Sequence, residues 1–305
     1  MLLEPRLVKL STRTGVEVRR TLPNAKLRRI GAWVFVDHFG PTPQTDGMVV
    51  AAHPHTGLQT MTWLFEGLVE HCDSVGSVQS IEPGQLNLMT AGRGISHSEL
   101  SQRGPQALHA AQLWIALPDS ARNIAPSFQH IAWLPAISHG SATGRLLVGE
   151  LLGLRSPAVV HTQLVAAELN LPQGSAVTLP VDAGFEHGVL VVAGEALVEG
   201  ERVLPSNLEF VAAGSAALRL ESVGEQPLKV LLIGGAPFDE PIVMWWNFIA
   251  RSHEEIVALR DAWNDYENAD AEGVFGDSLF NTFEDRVGGW IAAPELPNVV
   301  LRARI

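Results

Sequence analysis

Cysteine is nearly absent: Cys72 is the single one in 305 residues, so no internal disulfide framework holds the fold. The opening residues Met1-Leu2-Leu3-Glu4-Pro5-Arg6 lack the apolar core of a signal peptide, and a reducing cytoplasm is the expected address. No stretch of the chain approaches the roughly 18 apolar residues of a membrane span. Positive charge is scarce as well, with 21 Lys and Arg against 33 Asp and Glu. The resulting net charge of −12 would repel nucleic acid and anionic lipid, which leaves small molecules and proteins as partners. Two catalytic signatures are also missing. There is no Gly-x-Ser-x-Gly elbow, and Gly92-Arg93-Gly94 lacks both the third glycine and the βαβ setting of a dinucleotide fingerprint. His71 and Cys72 are adjacent, so a strand would send them to opposite faces and they make no nucleophile and base pair.

What is present is turn chemistry: 28 glycines and 19 prolines punctuate short runs of Val, Leu, Ile and Phe, the pattern of an all-β protein. An apolar run from Ile30 to Phe39 stops at Gly40-Pro41, and Gln59 to Phe65 stops at Glu66-Gly67 before strand composition resumes. A mass of 32.9 kDa is enough for two domains, each with its own core. Phe65-Glu66-Gly67-Leu68-Val69-Glu70 matches Val192-Ala193-Gly194-Glu195-Ala196-Leu197, and Leu86 to Gly92 matches Leu208 to Gly214, so the halves read as two copies of one β-barrel unit. The expected division is 1–135 and 136–305. Near the C-terminus Ser252-His253-Glu254-Glu255 forms a capping box, which predicts a helix to about Trp263 with Ile256, Leu259 and Trp263 on its apolar face. The preceding Met244-Trp245-Trp246-Asn247-Phe248 is apolar enough to be core or interdomain packing, with a partner surface as the alternative.

Two couples carry the chemistry, His53-Pro54-His55 and His97-Ser98-Glu99. In a strand, residues i and i+2 share a face, so each couple offers two metal donors side by side. Pairing of the two strands would bring three imidazoles and a carboxylate to one point, a shell suited to a six-coordinate first-row metal with two open positions. The ligand set alone does not separate iron, manganese, nickel and copper. Zinc comes last, because its closed tetrahedral shell leaves no room for substrate. Asp37, His38 and Gln112 are candidates to orient the ligands, with a hydrogen-bonded turn or core as the alternative. His71, His130, His139, His161 and His253 fall outside any ligand spacing and are expected to be surface or ordinarily bonded. Aligned without gaps, the repeat sets Pro180, Asp182, Arg219 and Glu221 opposite the four donors, so the second copy is expected to hold no metal; His187 alone could not.

The chain resembles the pirin family of two-domain cupins. The likeness is carried by Phe35-Val36-Asp37-His38-Phe39-Gly40-Pro41, His53-Pro54-His55-Thr56-Gly57, Met89 through Glu99, Gln112-Leu113-Trp114, and Glu240 through Phe248. It implies two facing antiparallel cupin (jelly-roll) barrels, one iron in the N-terminal barrel, and His53, His55, His97 and Glu99 as its ligands. The general cupin pattern places a glutamate ligand at the position of Gln59, so the carboxylate comes instead from Glu99, as in pirins. Some pirins resemble quercetin 2,3-dioxygenases in activity, and others act as iron-dependent regulators through protein contacts. The leading expectation is therefore a dioxygenase taking a flavonol-like aromatic substrate and O2, with Glu99 as catalytic base and Met61, Trp63 and Phe65 either lining the pocket or packed as core. The alternative is a non-catalytic, redox-sensing regulator that needs the same four ligands.

Overall fold

The computed structural model describes residues 1–10, 17–43, 47–101, 107–271, 279–280 and 289–304. Antiparallel strands dominate and arrange into two barrels, each a seven-stranded sheet backed by a four-stranded one. In the first barrel the large sheet runs Ser127–Ile131, Leu86–Thr90, Leu58–Glu66, Ala107–Ala116, Trp33–Pro43, Glu17–Leu22, Arg6–Lys9. Its small sheet runs Val49–His55, Ile95–Ser101, Val69–Asp73, Val78–Ile81. The second barrel repeats this plan strand for strand. Its large sheet runs Leu2–Leu3, Leu208–Val211, Glu186–Ala193, Leu228–Gly235, Leu164–Leu171, Ala142–Val148, Ala136–His139, and its small sheet Ala176–Pro180, Ala217–Ser222, Ala196–Val198, Glu201–Val203. One edge strand departs from chain order: Leu2–Leu3 pairs with Leu208 and Glu209, so the start of the chain completes the second sheet.

The large sheets face one another across a shared core that takes Met61, Trp63 and Leu113 from the first and Leu190, Leu231 and Ile233 from the second. Polar tips on aromatic bodies pin this interface: Trp33 Nε1 donates to Gly234 O at 3.0 Å and Trp63 Nε1 to a Glu168 carboxylate oxygen at 2.8 Å. The interior of the second barrel is a separate aliphatic cluster that includes Val177, Leu179, Leu218 and Leu220. Its small sheet alternates cleanly, Ala176–Pro180 with every second residue buried, as a strand with one wet face does. Arg219 and Glu221 lie on that outer face and pair with each other at 2.9 Å. The gap-free alignment of the repeat is thus one residue out of phase here, because the inward positions are Leu218 and Leu220.

The helix spans His253–Ala271, longer than the sequence pattern predicts. Ser252 Oγ accepts the Glu255 N–H at 3.2 Å, the first half of the expected capping box. The Glu255 carboxylate instead takes Arg251 N–H at 3.0 Å and Arg122 at 2.8 Å. Ile256 and Trp263 are fully buried with Leu259 beside them, against the hairpin of Val243–Trp245 and Phe248–Ala250. That hairpin lies on the first barrel, where Phe248 bridges Thr56 and Trp290 bridges Ala52. Among the described residues no helix is long and apolar enough to cross a membrane.

Candidate metal centre and active site

Strand Ile95–Ser101 pairs antiparallel with Val49–His55, placing His97 directly across from His53 and Ile95 across from His55. A register shift between His97 and Glu99 brings Glu99 opposite Val50. On its other edge the strand pairs with Val69–Asp73, so Glu99 lies across from His71 and His97 across from Asp73. The imidazoles of His53, His55 and His97 converge, with His55 Nε2 and His97 Nε2 3.1 Å apart and the His53 and His97 ring centres at 4.3 Å. His53, His55 and His97 form one group whose donor atoms all lie within 4.8 Å of one another; His71, His97 and Glu99 form a second. Glu99 therefore joins through His97 and does not sit in the tight triad.

Hydrogen bonds set the direction of the lone pairs on His53 and His97. His53 Nδ1 donates to Ala51 O at 2.9 Å, which leaves the Nε2 lone pair free. His71 donates from Nε2 to Asp73 at 2.9 Å, so its Nδ1 accepts from His97 Nδ1 at 3.3 Å and His97 Nε2 keeps its lone pair turned to His55. Asp73 is fixed in turn by the backbone N–H groups of Val75 and Ser77 at 3.0 and 2.9 Å. Burial holds these imidazoles neutral: the His53 pKa falls to about 4, and those of His55 and His97 fall well below the ordinary value. Burial pushes the Glu99 carboxyl up, opposed by the nearby His71 and by Gln112. Gln112 Nε2 reaches both carboxylate oxygens, at 2.8 and 3.1 Å.

His71 is buried beside His97 and stacked on Phe128 at 4.5 Å, contrary to the expectation that it lies outside the site. The missed signal was His71-Cys72-Asp73, a third alternating pair of polar groups. The other four histidines of that expectation stay away from the centre; His130, for example, bonds Asn87 at 2.7 Å. Of the three candidates to orient ligands, only Gln112 touches one. Asp37 instead makes a bidentate pair with Arg20 at 2.7 Å for each bond. His38 turns to the second barrel, bonding Ser206 Oγ at 3.0 Å and His109 Nε2 at 2.7 Å. Met61 and Trp63 belong to the core between the barrels, and Phe65 packs against it, so none of them lines the site. Inside the barrel their strand presents Thr62, which Gln112 Nε2 approaches at 3.4 Å.

A cavity of about 250 Å³ opens on His53 and Glu99. Its walls are Phe35 and Trp114, stacked at 4.0 Å and 10°, with Trp246 and Asn247 from the hairpin. Arg20 lies over the Phe35 ring at 4.1 Å. The model for the Pirin family matches residues 15–115, and that for the pirin C-terminal cupin domain matches residues 166–271. The chain belongs to the pirin family. A Pseudomonas aeruginosa protein provisionally named a quercetin 2,3-dioxygenase is 41% identical over 93% of this chain and 87% of its own length. A pirin-like protein of Caulobacter vibrioides is 36% identical over 81% of this chain and 88% of its own. The crystal structure of a quercetin 2,3-dioxygenase from Acinetobacter baumannii superposes with a TM-score of 0.90 at 40% identity, covering 99% of this chain and 97% of that one. A bacterial pirin from Escherichia coli, solved with nickel(II), shares the fold at 19% identity and a TM-score of 0.61 over 78% of this chain and 99% of that one.

The residues of this pirin fit a bound metal. Three neutral imidazoles whose free nitrogens face one another inside a desolvated barrel need a shared cation or proton between them, and a carboxylate stands beside them. The donor set is compatible with several first-row metals.

Proposed function

We propose that this pirin is a metal-dependent dioxygenase of the quercetin 2,3-dioxygenase type, holding its metal through His53, His55, His97 and Glu99. Iron(II) is the first choice, manganese, nickel and copper remain compatible with the donors, and zinc is last. The observation that carries the reading is the aromatic-walled cavity that opens onto His53 and Glu99. At about 250 Å³ it is slightly smaller than the ~300–1,000 Å³ of most ligand pockets, which favours a small substrate. When bound, the metal would supply a Lewis acid that polarises the substrate oxygen. A flavonol-like ring fits between Trp246 and the Phe35 and Trp114 pair, with its acidic hydroxyl directed to Glu99. The Glu99 carboxylate accepts that proton, and Gln112 keeps the carboxylate turned to the cavity. The ion pair of Arg20 with Asp37 fixes the wall against which the ring lies. The lone Cys72 is the basis for placing the protein in a reducing cytoplasm.

Metal-loaded protein incubated with quercetin in air should consume the flavonol absorption and release carbon monoxide. Absence of turnover with every candidate metal at full occupancy would overturn the enzyme and leave the regulatory reading, in which the partner is a protein.

A further inference from the structure

Away from the metal centre, a cavity of about 470 Å³ is rimmed by Arg28, Arg29, Arg302 and Arg304. Among the described residues no acidic side chain lines it, in a chain whose net charge is −12. Arg29 donates to the Glu240 carbonyl at 3.2 Å and covers the Phe238 ring at 5.4 Å. The side chains of Arg28, Arg302 and Arg304 have no ion pair or hydrogen bond among the described residues. The floor is apolar, with Val34, Ile242 and Val243 all buried. The segment that brings Arg302 and Arg304 is held in place by Arg304, which exchanges backbone hydrogen bonds with Ile242 at 2.9 and 3.0 Å.

Arg29 has Glu186 and Asp239 near it, but Arg28, Arg302 and Arg304 have no such partner among the described residues, so an anion in the hollow would relieve the repulsion among the guanidinium groups, and a guanidinium fork matches carboxylate geometry in two parallel hydrogen bonds. An apolar floor beneath them selects against a bare inorganic ion, because an ion alone leaves that surface wet. We propose that this cavity binds an organic carboxylate with an apolar body, its head on the arginine rim and its tail on Val34, Ile242 and Val243. Val34 alternates on its strand with Phe35, which faces the metal cavity, so the two sites occupy opposite faces of one strand.

The test is calorimetric titration of the full chain with decanoate, with decanol and with inorganic phosphate. Decanoate should bind at one per chain and more tightly than either control, and its affinity should fall as salt rises. The double variant Arg28→Gln with Arg302→Gln should weaken decanoate on the order of tenfold or more while leaving metal content unchanged. Binding should persist in His97→Ala, which separates this site from carboxylate capture at the metal centre. Equal affinity for decanol, equal affinity for phosphate, loss of binding in His97→Ala, or a decanoate affinity untouched by the arginine substitutions would each overturn the proposal. The single variant Arg302→Gln, at an exposed position, gives the same reading if the double variant does not fold.

Discussion

The two barrels share a strand order and differ in what fills them. In the second, the inward positions of the small sheet are Val177, Leu179, Leu218 and Leu220, and the outer face is wet. The first barrel divides its interior: Val18, Phe39, Leu64 and Ile81 form a small apolar cluster, and His53, His55, His71, His97 and Glu99 occupy the rest. Its small sheet is covered outside as well, since Phe248 bridges Thr56, Trp290 bridges Ala52, and Ser96 Oγ donates to Phe280 O at 3.1 Å. Burial on both faces is what keeps His53, His55 and His97 neutral, and neutral imidazole is the form that binds metal. The same architecture serves as packing where aliphatics fill it and as a donor cage where polar groups fill it and the sheet is sealed from water.

The sharpest way to break this comparison is to exchange the consequences of one substitution in each barrel. His97→Ala should reduce metal per chain to near zero by elemental analysis while circular dichroism stays native; a full equivalent retained would end the four-ligand proposal. Leu220→Ala should instead cost about 2–5 kcal/mol of stability by denaturant unfolding and leave metal content intact. Metal loss from folded Leu220→Ala would show that the second barrel is not a passive scaffold.

Next in size is Glu99→Gln, which keeps an oxygen donor and removes the base. At saturating metal, flavonol turnover should fall by about 10²–10⁴-fold. Turnover restored to the wild-type level by metal alone would make Glu99 a ligand only. His71→Leu removes the acceptor for His97 Nδ1–H and should weaken metal binding by roughly 10–100-fold, with a shift in the ligand-field absorption of the cobalt(II) form. An unchanged spectrum and affinity would assign His71 to packing against Phe128.

The smallest effect concerns the seam between the barrels. Burial lowers the His38 pKa to about 3 and that of His109 to about 4, so the unfolded chain binds more protons than the folded one between those values and about 6.5. This contribution to stability is complete above about pH 6.5 and is lost as the pH falls through the folded values. The drop in Tm from pH 7 to pH 5 should be smaller in the double variant His38→Gln with His109→Gln than in the wild type. An equal drop would remove the pair from the acid sensitivity of the fold.

Sequence alone determined the all-β class, the duplication, and the two donor couples, because the spacing i, i+2 fixes a shared face whenever the segment is extended. It could not determine which face of a strand buried on both sides meets the site. Leu58–Glu66 is buried nearly throughout, so its pattern gives no sign that Thr62 faces the barrel interior while Met61 and Trp63 face the other barrel. The same ambiguity sent His38 to the interface and left Asp37 on the cavity wall. His71 entered the site only through the register that sets Glu99 across from it and Asp73 across from His97, and register between distant strands is a property of the packed sheet. The arginine rim depended on chain return, since Arg28 and Arg302 meet only after the C-terminal segment pairs with Ile242.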